Sequence, residues 1–281
     1  MNHKFKYIGA AIGECAATLG AEKAPDVIKE KLNLIDNWQT TIYCNARQKP
    51  PALEEVASFS TMLANVTVDV LSAGYKFITF GGDHSCAIGT WSGVAKLYQE
   101  FGIIWIDAHM DAHTHATTLT GNVHGMPVAS LLGAGVGALK NIVFTGPKIK
   151  PENIVLIGIR SYEAEEKELL ESLGVKIFMM AEVNKVGFAA CMDYAIKKFR
   201  AKNIKYGISF DVDGLDPKYL TATGTMEQHG IDLHEVCGAF NKIHLNDLIG
   251  LELVEYNPDL DNENCRDIAT IKQILDSLPK E

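Results

Sequence analysis

The chain has 281 residues, of which 47% are hydrophobic and 22% are charged, a composition typical of a globular protein with a sizeable core. Its formal net charge of −9 disfavours a function in binding nucleic acid or an anionic membrane surface.

No run reaches the ~18 apolar residues of a membrane span. The six cysteines form no C-x-x-C pair, which disfavours a zinc-finger or thioredoxin-type site and fits a reducing, cytoplasmic location. We expect no signal peptide, because Glu14 interrupts the apolar part of the N-terminal segment.

Short apolar runs alternate with longer amphipathic segments along the chain. The runs predicted as strands are Phe5–Ile12, Tyr75–Phe80, Ile103–Ile106, Ile154–Ile159, Val175–Met179, Tyr206–Phe210 and Ile249–Val254. The segments predicted as helices are Pro25–Leu32, Leu53–Ser72, Ala87–Glu100, Glu163–Leu173, Phe188–Lys202, Leu233–Asn246 and Glu263–Leu278. This alternation predicts an α/β fold whose mostly parallel sheet is covered by helices on both faces.

With no linker or repeat in view, we predict a single domain over residues 1–281. The stretch Gly133–Gly137 is predicted to be a flexible surface loop, since it lacks the lysine and the preceding strand of a phosphate loop.

Polar side chains follow four of the predicted strands. Tyr75–Phe80 leads into "GGDHS", Ile103–Ile106 into "DAHMDAH", Tyr206–Phe210 into "DVDGLDP", and Ile249–Val254 into Glu255. The carboxyl ends of parallel strands meet at one edge of a sheet, so we expect these groups to gather there.

Six of these side chains have the chemistry of metal ligands. They are His84, Asp107, His109, Asp111, Asp211 and Asp213. Residues two apart in an extended chain point to the same side, and His113 and His115 would continue that row. Burying four carboxylates is unfavourable unless cations neutralise them, and two divalent ions would supply four positive charges. Oxygen-rich ligation with some nitrogen suits an ion such as Mn²⁺. The alternative is a solvated acidic loop that happens to contain histidines.

The motifs "GGDHS", "DAHMD", "GNVHGMP", "SFDVDGLDP", "TGT" and "EYNP" resemble those of arginase and the wider ureohydrolase family in order and spacing. The resemblance covers nearly the whole chain and is most specific between Gly81 and Pro258. It implies a three-layer α/β/α fold and a hydrolase with two Mn²⁺ ions per chain. The arginase branch converts L-arginine and water to L-ornithine and urea, through attack of a metal-bridging hydroxide on the guanidinium carbon. "GIRSYEAEE" and "HGMP" look more like bacterial arginase than agmatinase.

The resemblance also implies roles for individual residues. It assigns His84, Asp107, Asp111 and Asp211 to one ion, and Asp107, His109, Asp211 and Asp213 to the other. Asp111 would protonate the leaving amine, and His124 would carry protons. Glu255 would pair with the substrate guanidinium, with Thr225 beside it. On the residues alone, His124 could instead be a capping histidine, and Glu255 an ordinary charge at a strand end.

The amino-acid end of the substrate would be held by a second group of residues. Glu163 and Glu166 are expected near the α-ammonium, and His113, Thr120 and Asn122 near the α-carboxylate. Arginases mostly have Asn, Ser and Asp where this chain has His113, Thr120 and Glu163, and their usual "GTP…GG" is here "TGTMEQHG", which leaves the role of Glu227–Gly230 open. Agmatinase, formimidoylglutamase or another guanidino or amidino hydrolase therefore stays an alternative, as does a binding protein of this fold without catalysis. A homo-oligomer, trimer or hexamer, is also implied.

Overall fold

An eight-stranded sheet, parallel in all its strand pairs, lies at the centre of the computed structural model, which describes residues 4–262 and 266–279. The strands are β1 (Phe5–Ala11), β2 (Trp38–Tyr43), β3 (Lys76–Gly81), β4 (Gly102–Ile106), β5 (Ile154–Ile159), β6 (Lys176–Met179), β7 (Tyr206–Asp211) and β8 (Leu248–Val254). Their order across the sheet is β2-β1-β3-β8-β7-β4-β5-β6. The four strands predicted to precede polar clusters, β3, β8, β7 and β4, are thus consecutive neighbours at its centre.

Helices cover both faces of the sheet. The α-helices within the described residues are α1 (Ala24–Lys31), α2 (Leu53–Ser72), α3 (Ala87–Leu97), α4 (Pro127–Leu131), α5 (Gly137–Lys140), α6 (Ala164–Ser172), α7 (Met180–Val186), α8 (Phe188–Ala201), α9 (Leu233–Phe240) and α10 (Arg266–Asp276). None of those helices has the combination of length and apolar character needed to cross a bilayer.

Two hydrophobic cores result, one on each face. The alternation of side chains along β4 shows this, because Ile104 and Ile106 pack with α8 and α9, whereas Ile103 and Trp105 pack with α2 and α3. Strands β4 and β5 are buried on both faces, as their unbroken apolar sequences require. The predicted three-layer α/β/α fold with a parallel sheet is therefore confirmed.

The sequence prediction missed strand β2 and three short helices, α4, α5 and α7. Strand β2 lies at the edge of the sheet and buries only Ile42, so it has no apolar run to reveal it. The predicted loop at Gly133–Gly137 is wrong at its last residue, because Gly137 begins α5.

Three observed helices begin or end more than one residue away from the predicted position. Helix α3 ends at Leu97 and not at Glu100, because Tyr98 is extended and leads to the buried Phe101 before β4. Helix α9 ends at Phe240 and not at Asn246, and the chain then turns so that Ile243 is buried. The first three residues of the predicted helix Glu263–Leu278 lie outside the described residues, and α10 begins at Arg266.

Helices α2 and α3 cross closely, because α3 presents glycine where the two backbones meet. A Cβ atom at Gly93 would lie 2.6 Å from the Ala64 carbonyl oxygen, and one at Gly89 would lie 2.7 Å from that of Ser60. Such distances leave no room for a methyl group unless the helices separate. The predicted ligand His84 lies just before α3 in the chain.

We expect Gly93→Ala to lower the free energy of unfolding by about 1–3 kcal/mol, because the added methyl group meets backbone atoms that cannot move aside. Gly238→Ala is the matched control. Gly238 is also a helical glycine, in α9, but a Cβ there would meet nothing within 4 Å, so this change should stabilise the protein by about 0.5–1 kcal/mol. Urea unfolding of both variants measures the difference, and equal midpoints would contradict the close-crossing explanation.

Candidate metal centre and active site

The six predicted ligands meet at the carboxyl edge of the sheet. His84 follows β3, Asp107, His109 and Asp111 follow β4, and Asp211 and Asp213 lie at the end of β7. Asp107 is fully buried and Asp111 is 7% exposed. The alternative interpretation of this segment as a solvated acidic loop is therefore wrong.

His84 lies at the centre of the first half of the cluster. Its Nδ1 atom is 3.2 Å from Asp107 Oδ2, 3.0 Å from Asp111 Oδ2 and 3.2 Å from Asp211 Oδ2. Its ring stacks on Trp105 with 4.1 Å between the ring centroids. Three carboxylates thus converge on one buried nitrogen of His84, and the stacking on Trp105 restricts rotation of the ring.

His109 forms the second half with Asp107 and Asp213. Its Nδ1 atom is 3.1 Å from Asp213 Oδ2 and 3.5 Å from Asp107 Oδ1. Asp107 therefore faces both imidazoles, one with each carboxylate oxygen. The same two oxygens accept hydrogen bonds from the Trp105 indole at 2.9 Å and from the His109 backbone N–H at 2.7 Å.

A buried chain of hydrogen bonds that the sequence prediction missed orients His84. Ser209 Oγ donates to Glu252 Oε2 at 2.8 Å, so it is available to accept the His84 Nε2–H at 3.0 Å. Glu252 also accepts from the Trp91 indole at 3.0 Å. This arrangement leaves the lone pair of His84 on Nδ1, directed at the carboxylates. A signal did exist in the sequence: Glu252 is a charged residue inside the otherwise apolar strand β8.

This donor set fits a bound metal. His84 Nδ1 is buried, yet it makes no hydrogen bond of acceptable geometry with any described residue, even though three carboxylate oxygens surround it. Two overlapping groups have ligand atoms within 4.8 Å of one another, namely His84 with Asp107 and Asp211, and Asp107 with His109 and Asp213. A cation would satisfy the orphaned nitrogen and offset the carboxylate charges.

The electrostatics of the cluster agree with that interpretation. Burial, reinforced by the charge of Asp107, raises the pKa of Asp111 to about 6. Burial also raises the pKa of Asp211 well above its usual value, and Asp213 and Asp107 add to the effect. Burial opposes a charged His84, but the nearby negative carboxylates of Asp107, Asp111 and Asp211 outweigh this and raise its pKa. Without a cation, the cluster therefore retains protons that a free carboxylate would have lost.

We expect metal binding to release protons and to weaken as the pH falls through about 6. Because the pKa of Asp111 is raised to about 6, protons compete with the metal increasingly below that pH. Calorimetric titrations with MnCl₂ between pH 5.5 and 8, in two buffers of different ionisation enthalpy, measure both the affinity and the number of protons released. Binding without proton release would contradict the raised pKa values.

Glu255, which is buried, and His124, which is half-buried, form a pair beside the cluster. Glu255 Oε1 accepts from the His84 backbone N–H at 2.8 Å and lies 3.2 Å from His124 Nδ1. Burial disfavours the charged imidazole, but its hydrogen bond to Glu255 outweighs this and raises the pKa of His124 to about 9. Glu255, directly after β8, has φ of 66°, and Asp111, in the loop that follows β4, has φ of 50°, so neither has an extended backbone. These contacts do not fit the alternative interpretations, in which His124 is a helix cap and Glu255 is an isolated charge at a strand end.

All of the predicted substrate contacts line one cleft of about 160 Å³ next to the cluster. The lining includes His113, Thr120, Asn122, His124, Glu163, Glu166, Thr225 and Glu255. At its outer end, His113 Nε2 lies 3.0 Å from Glu163 Oε2, and His113 Nδ1 lies 3.0 Å from Thr117 Oγ1. The cleft therefore runs from a metal-competent cluster to a group of carboxylates and an imidazole.

Comparison with known proteins identifies the family. The family model described as Arginase family matches residues 3–278. The chain belongs to the arginase family. The arginase of Brevibacillus brevis is 42% identical over 213 residues, which cover 75% of this chain and 72% of that protein. An arginase structure from Bacillus caldovelox superposes with a TM-score of 0.91 at 33% identity, covering 100% of this chain and 99% of that chain, and one from Bacillus cereus with 0.88 at 32%, covering 99% and 98%. The resemblance to bacterial arginases that the motifs indicated is thus confirmed.

The row of alternating residues after β4 does not continue as far as the sequence predicted. His115 is exposed and does not line the cleft, because the positive φ of Asp111 ends the extended alternation. His113 does line the cleft, but it pairs with Glu163 at the outer end and not with the cluster.

The segment Thr225–Gly230, which includes the Glu227–Gly230 stretch whose role the sequence left open, packs directly on the cluster. Thr225 Oγ1 donates to Asp213 Oδ2 at 3.0 Å. A Cβ at Gly230 would lie 2.3 Å from the Leu215 carbonyl, which shows how tightly the segment abuts the turn after β7. The Arg160 guanidinium holds it there by donating to the carbonyls of Asp213 and Glu227, at 2.6 and 3.0 Å. The sequence prediction missed Arg160, because nothing in its local pattern shows that it would contact distant carbonyls.

Proposed function

We propose that this protein is an arginase, a binuclear manganese hydrolase that converts L-arginine and water to L-ornithine and urea. The observation that supports this most is the convergence of two imidazoles and four carboxylates on one buried site, with His84 Nδ1 left unpartnered at its centre. The name of the 42% identical relative, an arginase, supports the choice of reaction.

The ligands of the two ions are proposed from the contacts. His84, Asp107, Asp111 and Asp211 would hold one ion, since the three carboxylates surround His84 Nδ1. Asp107, His109, Asp211 and Asp213 would hold the other. Two divalent cations balance the four carboxylates, whereas one cation would leave buried negative charge. Bound there, the two ions would lower the pKa of a water molecule toward ~7 and so supply a nucleophile at neutral pH.

The residues beside the ions would position the guanidinium group and move protons. Glu255 presents a buried carboxylate to the cleft, and a carboxylate matches the planar, charged guanidinium. Asp111, whose carboxylate lies beside His84 and lines the cleft, would accept the proton that the attacking water loses and pass it to the leaving amine. His124 lines the same cleft and would exchange protons between the site and solvent.

The outer end of the cleft would recognise the amino-acid part of the substrate. Glu163 and Glu166 would attract the α-ammonium, while His113, Thr120 and Asn122 offer donors to the α-carboxylate. His113 and Glu163 are hydrogen-bonded to each other, so each holds the other in place. A pocket for agmatine, which has no carboxylate, would not need hydrogen-bond donors for that group.

Hydrolysis rates on a panel of substrates test this proposal. We expect L-arginine to be hydrolysed at least about 100-fold faster than agmatine, which lacks the carboxylate. Guanidinobutyrate lacks the α-amino group, and formiminoglutamate tests the amidino alternative. Urea release, or formamide release from formiminoglutamate, is measured after loading with Mn²⁺, Co²⁺, Fe²⁺ or Ni²⁺ in turn. Equal rates on arginine and agmatine would favour another guanidino hydrolase, and no hydrolysis by a metal-loaded protein would favour a binding function.

Two variants sharpen this test. Glu163→Gln should lower turnover of arginine and agmatine, both of which carry the amine, while guanidinobutyrate turnover is unchanged or increased. Glu165→Gln is the matched control, because Glu165 is an exposed neighbour that does not line the cleft. If Glu163→Gln affected all three substrates equally, Glu163 would not be the site of ammonium recognition.

We also propose a homo-oligomer, trimer or hexamer, in the cytoplasm. Light scattering after size-exclusion chromatography of the metal-loaded protein measures its mass, and a monomer would contradict the oligomer.

A further inference from the structure

The ring of His109 has one nitrogen toward the cluster and one away from it. Nδ1 faces Asp213 and Asp107. Nε2, on the other side, lies 3.9 Å from Glu227 Oε1, and no other carboxylate within the described residues comes within 4.0 Å of that nitrogen. Histidines that bind a metal through one nitrogen almost always donate the other N–H to a carboxylate, a carbonyl or water. Glu227 is placed to be that acceptor.

The backbone of Glu227 is tied to the same structure that carries the cluster. Arg160 Nη2 donates to the carbonyls of Asp213 and Glu227, and Arg160 Nε donates to the carbonyl of Gln228 at 2.9 Å. The backbone N–H of Arg160 in turn donates to the Ala108 carbonyl at 2.8 Å, next to His109. Because the guanidinium is planar and rigid, it fixes Glu227 relative to both His109 and Asp213.

The distance of 3.9 Å is longer than a direct hydrogen bond of about 2.7–3.2 Å. A small rotation of the Glu227 side chain either shortens it to a direct bond or lengthens it enough to admit one bridging water molecule. Glu227 is half-buried, so its carboxylate is partly shielded from solvent, yet it has space to move.

We propose that Glu227 is a positioning residue, which accepts the Nε2–H of His109, directly or through one water molecule, and so holds Nδ1 toward the second ion. The carboxylate comes from the segment in which this chain departs from the family pattern. The inference rests on the proposed binuclear centre, in which His109 binds only the second ion. It assigns Glu227 no contact with the substrate.

The binding of MnCl₂ to four proteins tests this inference. Wild type, Glu227→Ala, Glu227→Gln and Gln228→Ala are stripped of metal, and the two dissociation constants are measured by calorimetry. Electron paramagnetic resonance follows the spin-coupled signal of the Mn²⁺ pair. Gln228 is the matched control, because its side chain is exposed on the neighbouring position.

We expect Glu227→Ala to weaken the second ion by about 10–100-fold and to leave the first ion unchanged. Glu227→Gln, whose amide oxygen can still accept a hydrogen bond, should lose less, and Gln228→Ala should match wild type. Wild-type affinity for the second ion in Glu227→Ala would overturn the inference alone, and so would equal weakening of both ions. A wild-type protein that binds fewer than two ions would overturn the proposed binuclear centre and this inference together.

Discussion

Replacing Asp107 by asparagine is expected to lower kcat/KM for arginine by about three orders of magnitude, which corresponds to about 4 kcal/mol of transition-state stabilisation. Within the described part of the chain, Asp107 is the one carboxylate that faces both His84 and His109, at 3.2 and 3.5 Å between the oxygen and Nδ1 atoms. An asparagine there removes one of the four negative charges and one proposed bridging ligand. We therefore expect the bound manganese to fall together with the activity.

The hydrogen bonds of Asp107 make the substitution more severe than its size suggests. Both carboxylate oxygens accept an N–H group, one from the Trp105 indole and one from the His109 backbone. An amide has only one oxygen, so its NH₂ group must face one of these donors. A buried donor without a partner costs about 1–3 kcal/mol, so the metal-free variant should also be less stable than wild type.

Urea release and metal content by elemental analysis measure these effects. Asp193→Asn is the matched control, because Asp193 is exposed in α8 and forms an ion pair with Lys197, one turn away. That change should alter stability by less than about 0.5 kcal/mol and leave turnover unchanged. Urea release near the wild-type rate by Asp107→Asn would contradict the proposed centre.

Replacing Glu255 by glutamine is expected to lower kcat/KM for arginine by about 100-fold or more, since removing one partner of a buried charged contact costs about 2–5 kcal/mol. Glu255 is 3% exposed and lines the cleft, so a substrate guanidinium beside it would be largely removed from water. The neutral amide keeps the shape of the side chain and loses the charge. The main effect should therefore be on the charged substrate.

The same substitution should lower the pKa of His124. In wild type the hydrogen bond and charge of Glu255 overcome the effect of burial and raise that pKa to about 9. Without the carboxylate, burial dominates and disfavours the imidazolium. Titration of the metal-free protein by nuclear magnetic resonance measures this shift, and an unchanged pKa would show that Glu255 is not its cause.

The stability of the metal-free protein should change with pH in the corresponding direction. Because the folded pKa of His124 is raised, the pair contributes fully below the unfolded value of about 6.5 and loses its contribution as the pH rises through about 9. Wild type should therefore lose more stability than Glu255→Gln over that range. Glu171→Gln, which removes an exposed carboxylate near Lys167, serves as the control and should follow wild type.

The sequence predicted the central strands and the cluster well, for a physical reason. Strands buried on both faces need long apolar runs, and the polar residues that follow β3, β4, β7 and β8 stand out against them. Strand β2 was missed because an edge strand can remain polar, and α9 was predicted too long because its pattern continues after the helix has ended.

The local sequence shows which residues are metal-competent, and the parallel topology that it indicates places them at one edge of the sheet. Their orientation depends on contacts between distant parts of the chain. Ser209 and Glu252 determine which ring nitrogen of His84 faces the carboxylates. Arg160 holds Glu227, which lies 67 residues further along the chain, beside His109. Periodicity shows which side of a strand a residue faces, but not which distant hydrogen-bond donor or acceptor will meet it there.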